Sequence, residues 1–223
     1  MNAGEPPAFL LLAFGPFGAW ERNSTEIVSE RAAERLRAGG ARVVRRVLRA
    51  AVGALEESLE AAFLEAGRPA AVLACGLSGR ARKVQVERVA LNCADFRIPD
   101  VDGAQPRGLP LRPGEPDAWM TRSDVHAAVA AIEARGVAAQ VSNSAGTFLC
   151  NATYFGVLRR SVPAQIPALF LHLPPLPGEA AAAVARGAAA GDPDPADPDA
   201  AMPLEQQVAA VEAAALLLLG HLS

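Results

Sequence analysis

The sequence is poor in the features that would tie a chain to a membrane, a nucleic acid or a disulfide scaffold. It has three cysteines, Cys75, Cys93 and Cys150. An odd number at wide spacing is not a disulfide framework, and no pair has the C-x-x-C spacing of a zinc or redox site. No zinc or redox site is read from the cysteines, and no cofactor is expected. Positive charge is not in excess: 21 Lys and Arg stand against 24 Asp and Glu, a formal net charge of -3. A chain that must neutralise phosphates needs the opposite balance, so no nucleic acid is expected as a partner. Lysine is nearly missing, with Lys83 alone. Long apolar runs are missing too. "AAALLLLG" near the end is too short to span a bilayer, and no membrane association is expected. The opening "MNAGEPPAFLLLAFGPFG" lacks a charged leader region, and Gly and Pro break its apolar run. No signal peptide is read there, so the expected location is the cytoplasm, where a free thiol stays reduced. Finally, neither G-x-x-x-x-G-K-[ST] nor G-x-G-x-x-G occurs, which argues against a nucleotide-binding module.

What is present is globular in kind. Of the 223 residues, 51% are hydrophobic and 20% charged, a balance that supports a packed core. The length suits one domain over residues 1–223 and would cramp two. "AFLLLAFG" reads as a buried strand ending in glycine. A helix follows from a cap at Asn23 or Ser24. "ARVVRRVLRA" reads as strand, "GALEESLEAAFLEAG" as helix, "AAVLACGLSG" as a buried strand and "RKVQVERVALN" as an alternating one. "RIPDVDGAQPRGLPLRPGEPDA" is rich in Pro, Gly and Asp and reads as loop. "SDVHAAVAAIEARG" reads as a helix capped by Ser123, "VAAQVSNSAG" as strand, "CNATYFGVLRRS" as helix and "ALFLHLP" as strand. The stretch from Gly178 to Ala201 is compositionally biased and reads as a mobile segment. "MPLEQQVAAVEAAALLLLGHL" closes the chain as an amphipathic helix. Alternating strands and helices predict an α/β fold: a three-layer α/β/α sandwich around a largely parallel twisted sheet. Sites in such sheets form beyond the carboxyl ends of strands. Glycine clusters at 15–18 and 76–79, together with Cys150 and His172, all follow or end a predicted strand.

Cys150 stands where a small polar run, "SNSAGTF", gives way to a helix. The unpaired N–H groups and positive dipole end of a helix start favour thiolate over thiol. A tight strand-to-helix turn would expose the side chain as a nucleophile elbow does. The bland alternative is a small buried hydrophobe. A nucleophilic thiol needs a base. His126 sits within a helix and His221 at the chain end, whereas His172 ends an apolar strand. An oriented imidazole needs a third group. Glu87 is out of place in a sheet unless partnered, or else lies on an edge beside Arg88. Asp95, Asp100 and Asp102 are rivals that a Pro/Gly loop explains as turn formers.

Five motifs occur in order: "AFGPFGAWERNST", "GLSGR", "VERVALNCADFRIPDVDGAQP", "SNSAGTFLCN" and "FLHLP". Together they resemble the pyroglutamyl peptidase I family, also called pyrrolidone-carboxylate peptidases, the cysteine peptidases of family C15. The resemblance covers nearly the whole chain from about Leu10. It implies a cysteine exopeptidase that hydrolyses the amide bond after an N-terminal pyroglutamyl residue through a thioester. It implies Cys150 as nucleophile, His172 as base and acid, and Glu87 as the group that orients the histidine. It further implies Phe14 and Phe17 around the pyrrolidone ring, Asn23 near that pocket and Arg97 near the developing oxyanion. Peptides with N-terminal pyroglutamate are the implied partners, with no metal, a cytosolic location and a homo-oligomer, often a tetramer. The chain departs from the family pattern at Ala13-Phe14, at Ala152 where many members carry histidine, and at "AWMTRSD". Two other readings stand beside this one: a hydrolase of another small cyclic amide, and a catalytically silent scaffold.

Overall fold

The computed structural model describes residues 6–187 and 196–220; His221 and residues 188–195 lie outside them. The run "FLLLAF" forms β1 (Phe9–Phe14), in which every residue is buried. A strand apolar on both faces must be covered on both, and that places it inside a sheet. β1 pairs in parallel with β2 (Val43–Leu48) on one side and β3 (Ala71–Leu77) on the other. β3 continues in parallel to β8 (Ala168–Leu173). At that point the direction reverses: β4 (Val84–Glu87) is antiparallel to β8 and carries β7 (Ala139–Ser142) parallel to itself. The strand order is therefore β2-β1-β3-β8-β4-β7. The expected parallel sheet is present, with one antiparallel junction.

Among the described residues six helices flank it: α1 (Ser24–Ala38), α2 (Val52–Ala66), α3 (Val125–Glu133), α4 (Leu149–Ser161), α5 (Glu179–Ala185) and α6 (Leu204–Leu218). Alternate residues of each strand serve opposite cores. Leu11, Cys75 and Leu171 meet the layer of α1, α3 and α6. Leu12, Ala74 and Phe170 meet the layer of α2 and α4. Each fully buried Leu or Phe contributes about 1.5–3 kcal/mol. No helix among the described residues is long and apolar enough to cross a membrane.

Several local expectations are corrected. "RKVQVERVALN" is not one strand. It breaks at Arg88, and β5 (Val89–Leu91) leaves the main sheet to pair with β6 (Ala118–Met120). The α3 cap is Asp124 rather than Ser123: the Asp124 carboxylate accepts from the N–H groups of His126 and Ala127. The Ser123 hydroxyl oxygen instead accepts from Ala168 N. The biased stretch after Gly178 begins as helix α5, because its alanines Ala180 and Ala183 are buried against Trp20 and Leu77.

Candidate active site

The mouth of the site lies where β1, β3 and β8 end. Asn23 caps α1, its Oδ1 accepting from Thr25 N at 3.1 Å and from the Thr25 hydroxyl at 2.7 Å. Its Nδ2 donates to Gly15 O at 3.1 Å. Asn23 lines the cavity, but its side chain is engaged in holding the loop after β1. That loop turns at Gly18, whose φ of 52° suits glycine. The main chains of Phe17 and Trp20 bond each other in both directions, and their rings stack with centroids 6.3 Å apart. Phe14, Phe17 and Trp20 form an apolar wall of a cavity of about 500 Å³.

The small polar run before Cys150 forms a turn with its own bonds. Gly146 takes a φ of 78°, and its N–H donates to the Ser144 hydroxyl. Six residues, 143–148, separate β7 from α4, so the tight elbow expected from sequence is not what presents the thiol. β7 runs opposite to β8, and the loop must climb back to the mouth. α4 then starts at Leu149 with no side-chain cap. Its first turn, with Leu149 and Cys150, lines the cavity, and the first N–H groups of a helix have no partner within it. Asn151 fastens this helix start to its surroundings. Its Oδ1 accepts from Leu91 N, and its Nδ2 donates to Leu91 O and Cys93 O, all at 2.8–3.0 Å.

His172 ends β8 beside Cys150. Its Nδ1 lies 2.8 Å from Glu87 Oε1, and it shares the cavity with Cys150, close enough for the sulfur's charge to act on the ring. Glu87 is not at a solvated edge with Arg88. Its side chain is 0% exposed, against 11% for His172, and Arg88 reaches the exposed His126 instead. Phe170 packs against the imidazole at 4.9 Å between centroids. Tyr154 donates its hydroxyl to Glu87 O at 2.9 Å. Burial by itself would lower the His172 pKa. The charge and hydrogen bond of Cys150, then the hydrogen bond and charge of Glu87, outweigh it and push the imidazole up to about 10.

The structure thus brings Cys150, His172 and Glu87 together, with Phe14, Phe17 and Asn23 on the same cavity. Arg97 also lines it, its guanidinium 5.8 Å from the centroid of the Phe148 ring at the α4 cap. Asp100 and Asp102 are elsewhere. Asp100 accepts from Val52 N and so caps α2, besides closing its own turn onto Asp102 N and Ala104 N. Cys75 faces the opposite core from Cys150, and burial pushes its thiol well up. Sequence reasoning left three contributors without a role: Trp20, Gly76 and Asn151. Each stood inside a quoted motif, which was the available signal. Among the described residues no cluster of His, Cys, Asp and Glu could hold a metal ion.

A thiol, an imidazole and a recessed carboxylate in line can carry an acyl group and pass it to water. Comparison with known proteins narrows that class. Residues 8–219 match the family model described as pyroglutamyl peptidase. The pyrrolidone-carboxylate peptidase of Escherichia fergusonii is 41% identical over 175 residues, 78% of this chain and 80% of that protein. That of Gloeobacter violaceus is 40% identical over 172 residues, covering 77% and 83%. The crystal structure of pyrrolidone carboxyl peptidase from Thermus thermophilus superposes with a TM-score of 0.75 at 33% identity, covering 92% of this chain and 97% of that one. A mutant of the Pyrococcus furiosus enzyme gives 0.83 at 29% identity, covering 97% and 100%. The chain belongs to the pyroglutamyl peptidase family, and its reaction is hydrolysis at an N-terminal pyroglutamyl residue.

Proposed function

We propose that the chain removes N-terminal pyroglutamyl residues from peptides through a thioester on Cys150. The observation that carries this is the line of contacts from buried Glu87 through His172 to Cys150 on a half-apolar cavity. Pyroglutamate is a neutral lactam without a free α-amine. It calls for apolar walls and a few hydrogen-bonding groups rather than a counter-ion, and Phe14, Phe17 and Trp20 supply such walls. The Cys150 thiolate attacks the pyroglutamyl carbonyl carbon. Negative charge gathers on the carbonyl oxygen, near the uncapped N–H groups of α4 and Arg97. Removing one such donor costs on the order of 10²–10³ in rate. His172 gives its proton to the leaving amine, which departs as the shortened peptide. Neutral His172 then takes a proton from water as that water attacks the thioester carbon; the C–S bond breaks, pyroglutamic acid leaves, and the Cys150 thiolate and protonated His172 are restored. Glu87 fixes the ring's tautomer and steadies its positive charge whenever the ring is protonated.

The same reading treats residues 1–223 as one domain working in the cytoplasm as a homotetramer, without nucleic acid or membrane. Light scattering coupled to size exclusion tests the oligomer. The test of the chemistry is hydrolysis of pyroglutamyl-aminomethylcoumarin under reducing conditions, with alanyl and prolyl analogues as controls. Cleavage of the pyroglutamyl substrate alone, lost in Cys150→Ala, is the expected result. A folded wild-type protein inert toward it would overturn the reading.

A further inference from the structure

The cavity has two unlike halves. Phe14, Phe17 and Trp20 come from the β1 side of the sheet. The other wall comes from the loop after β5 and the loop after β7, and it is charged. The chain as a whole is acidic, yet this wall of the cavity holds Arg97 and Arg107 against one carboxylate, Asp95. Arg107 is fixed to this wall through the main chain. Phe96 N donates to Pro106 O, and Ala94 and Leu109 bond each other in both directions, which sets Arg107 across from Asp95. Asp95 in turn joins the loop leading to Cys150: its N–H donates to Thr147 O, and its own carbonyl accepts from the Thr147 hydroxyl. The Arg107 guanidinium stands 3.9 Å from Asp95 and is more than half exposed. That long, wet contact leaves donors on a five-donor fork suited to a second carboxylate.

A volume of about 500 Å³ takes more than a five-membered lactam. A lactam set against the aromatics would leave the arginine wall to the residue beyond the scissile bond. We infer that Arg107 selects peptides whose leaving residue carries a carboxylate, on its side chain or as a free chain terminus. The inference rests on the pyroglutamyl peptidase reading above. It concerns the residue after the scissile bond, which the lactam pocket does not touch.

The test compares kcat/KM for two matched pairs at low ionic strength. Pyroglutamyl-glutamate amide against pyroglutamyl-glutamine amide reports a side-chain carboxylate. Pyroglutamyl-alanine against pyroglutamyl-alaninamide reports a terminal one. An exposed ion pair is weak in water, so the expected preference is about threefold in at least one pair. It shrinks toward unity in roughly 1 M salt, where charges a few ångströms apart are screened. In Arg107→Gln the favoured ratio falls to near one. Cleavage of the neutral partners with ratios of one or below in both pairs overturns the inference and leaves the peptidase reading standing. A ratio unchanged in Arg107→Gln or unaffected by salt overturns it equally. Failure to cleave even the neutral partners would instead sink the peptidase reading.

Discussion

Gly76 and Cys150 share a space that admits only one side chain. A Cβ built on Gly76 would lie 2.7 Å from Cys150 Sγ and 2.8 Å from Phe170 Cζ. Gly76 is also the β3 residue aligned with His172 of β8. The missing methyl therefore makes the room in which sulfur, imidazole and phenyl ring meet. Gly76→Ala is expected to cost about 1–3 kcal/mol of stability by overpacking. It should also slow alkylation of Cys150 by iodoacetamide and lower kcat at least tenfold. Normal alkylation and kcat in a folded variant would show that the sulfur has another seat.

His172 gives stability a pH dependence of definite sign. Its folded pKa is about 10, raised from 6.5. Between those values the folded state holds more proton than the unfolded one, so unfolding free energy falls as pH rises. The contribution is complete below about pH 6.5 and lost as pH passes through about 10. Urea denaturation across this window should show a smaller decline in Glu87→Gln than in the wild type. The imidazole resonances of Cys150→Ala should titrate lower than those of the wild type, because the first contributor to the upward shift is gone. Equal slopes in wild type and Glu87→Gln would contradict this account.

Trp20 bears on binding rather than on chemistry. It is packed so close to Gly79 that a Cβ there would lie 2.8 Å from the indole, and it backs the Phe17 ring. Trp20→Ala is expected to raise KM for pyroglutamyl-aminomethylcoumarin about tenfold while kcat changes little, the pattern of lost uniform binding. A fall in kcat with KM unchanged would move Trp20 to the reacting centre.

Asn151 is a clamp. Asn151→Ala removes three hydrogen bonds between the α4 start and residues 91–93 and strands main-chain groups there. The expected loss is about 2–3 kcal/mol in urea denaturation. A loss under about 1 kcal/mol would mean that water replaces the amide.

Much of this was legible before any coordinates. β1 and β3 are apolar on both faces, and such runs have no other place than a covered sheet. Glu87 was recognisable because a lone carboxylate amid Val84, Val86 and Val89 has to be explained. The break at Arg88 was not legible, since alternation continues through it. Nor was the reversal at β4, because periodicity carries no strand direction. The cap at Asp124 beside Ser123 is a choice between two competent neighbours that only the turn geometry decides. Trp20 and Asn151 needed contacts between segments 58 to 60 residues apart, or across a turn, and a linear pattern does not display these.

The reversal at β4 decides which partner of the acid–imidazole pair is wet. Gln85 lies across from His172, and Glu87, two residues on, lies across from Phe170. Because β4 runs against β8, moving forward along β4 means moving down, away from the mouth. Glu87 therefore sits beneath the imidazole in a dry layer with Tyr154 and Phe170. Were β4 turned to run with β8, the residue two beyond a partner of His172 would stand at the rim, in water, where the same carboxylate would hold a cation far more weakly. Grafting these three side chains onto an all-parallel sheet would copy the residues and lose the dielectric that makes them a unit.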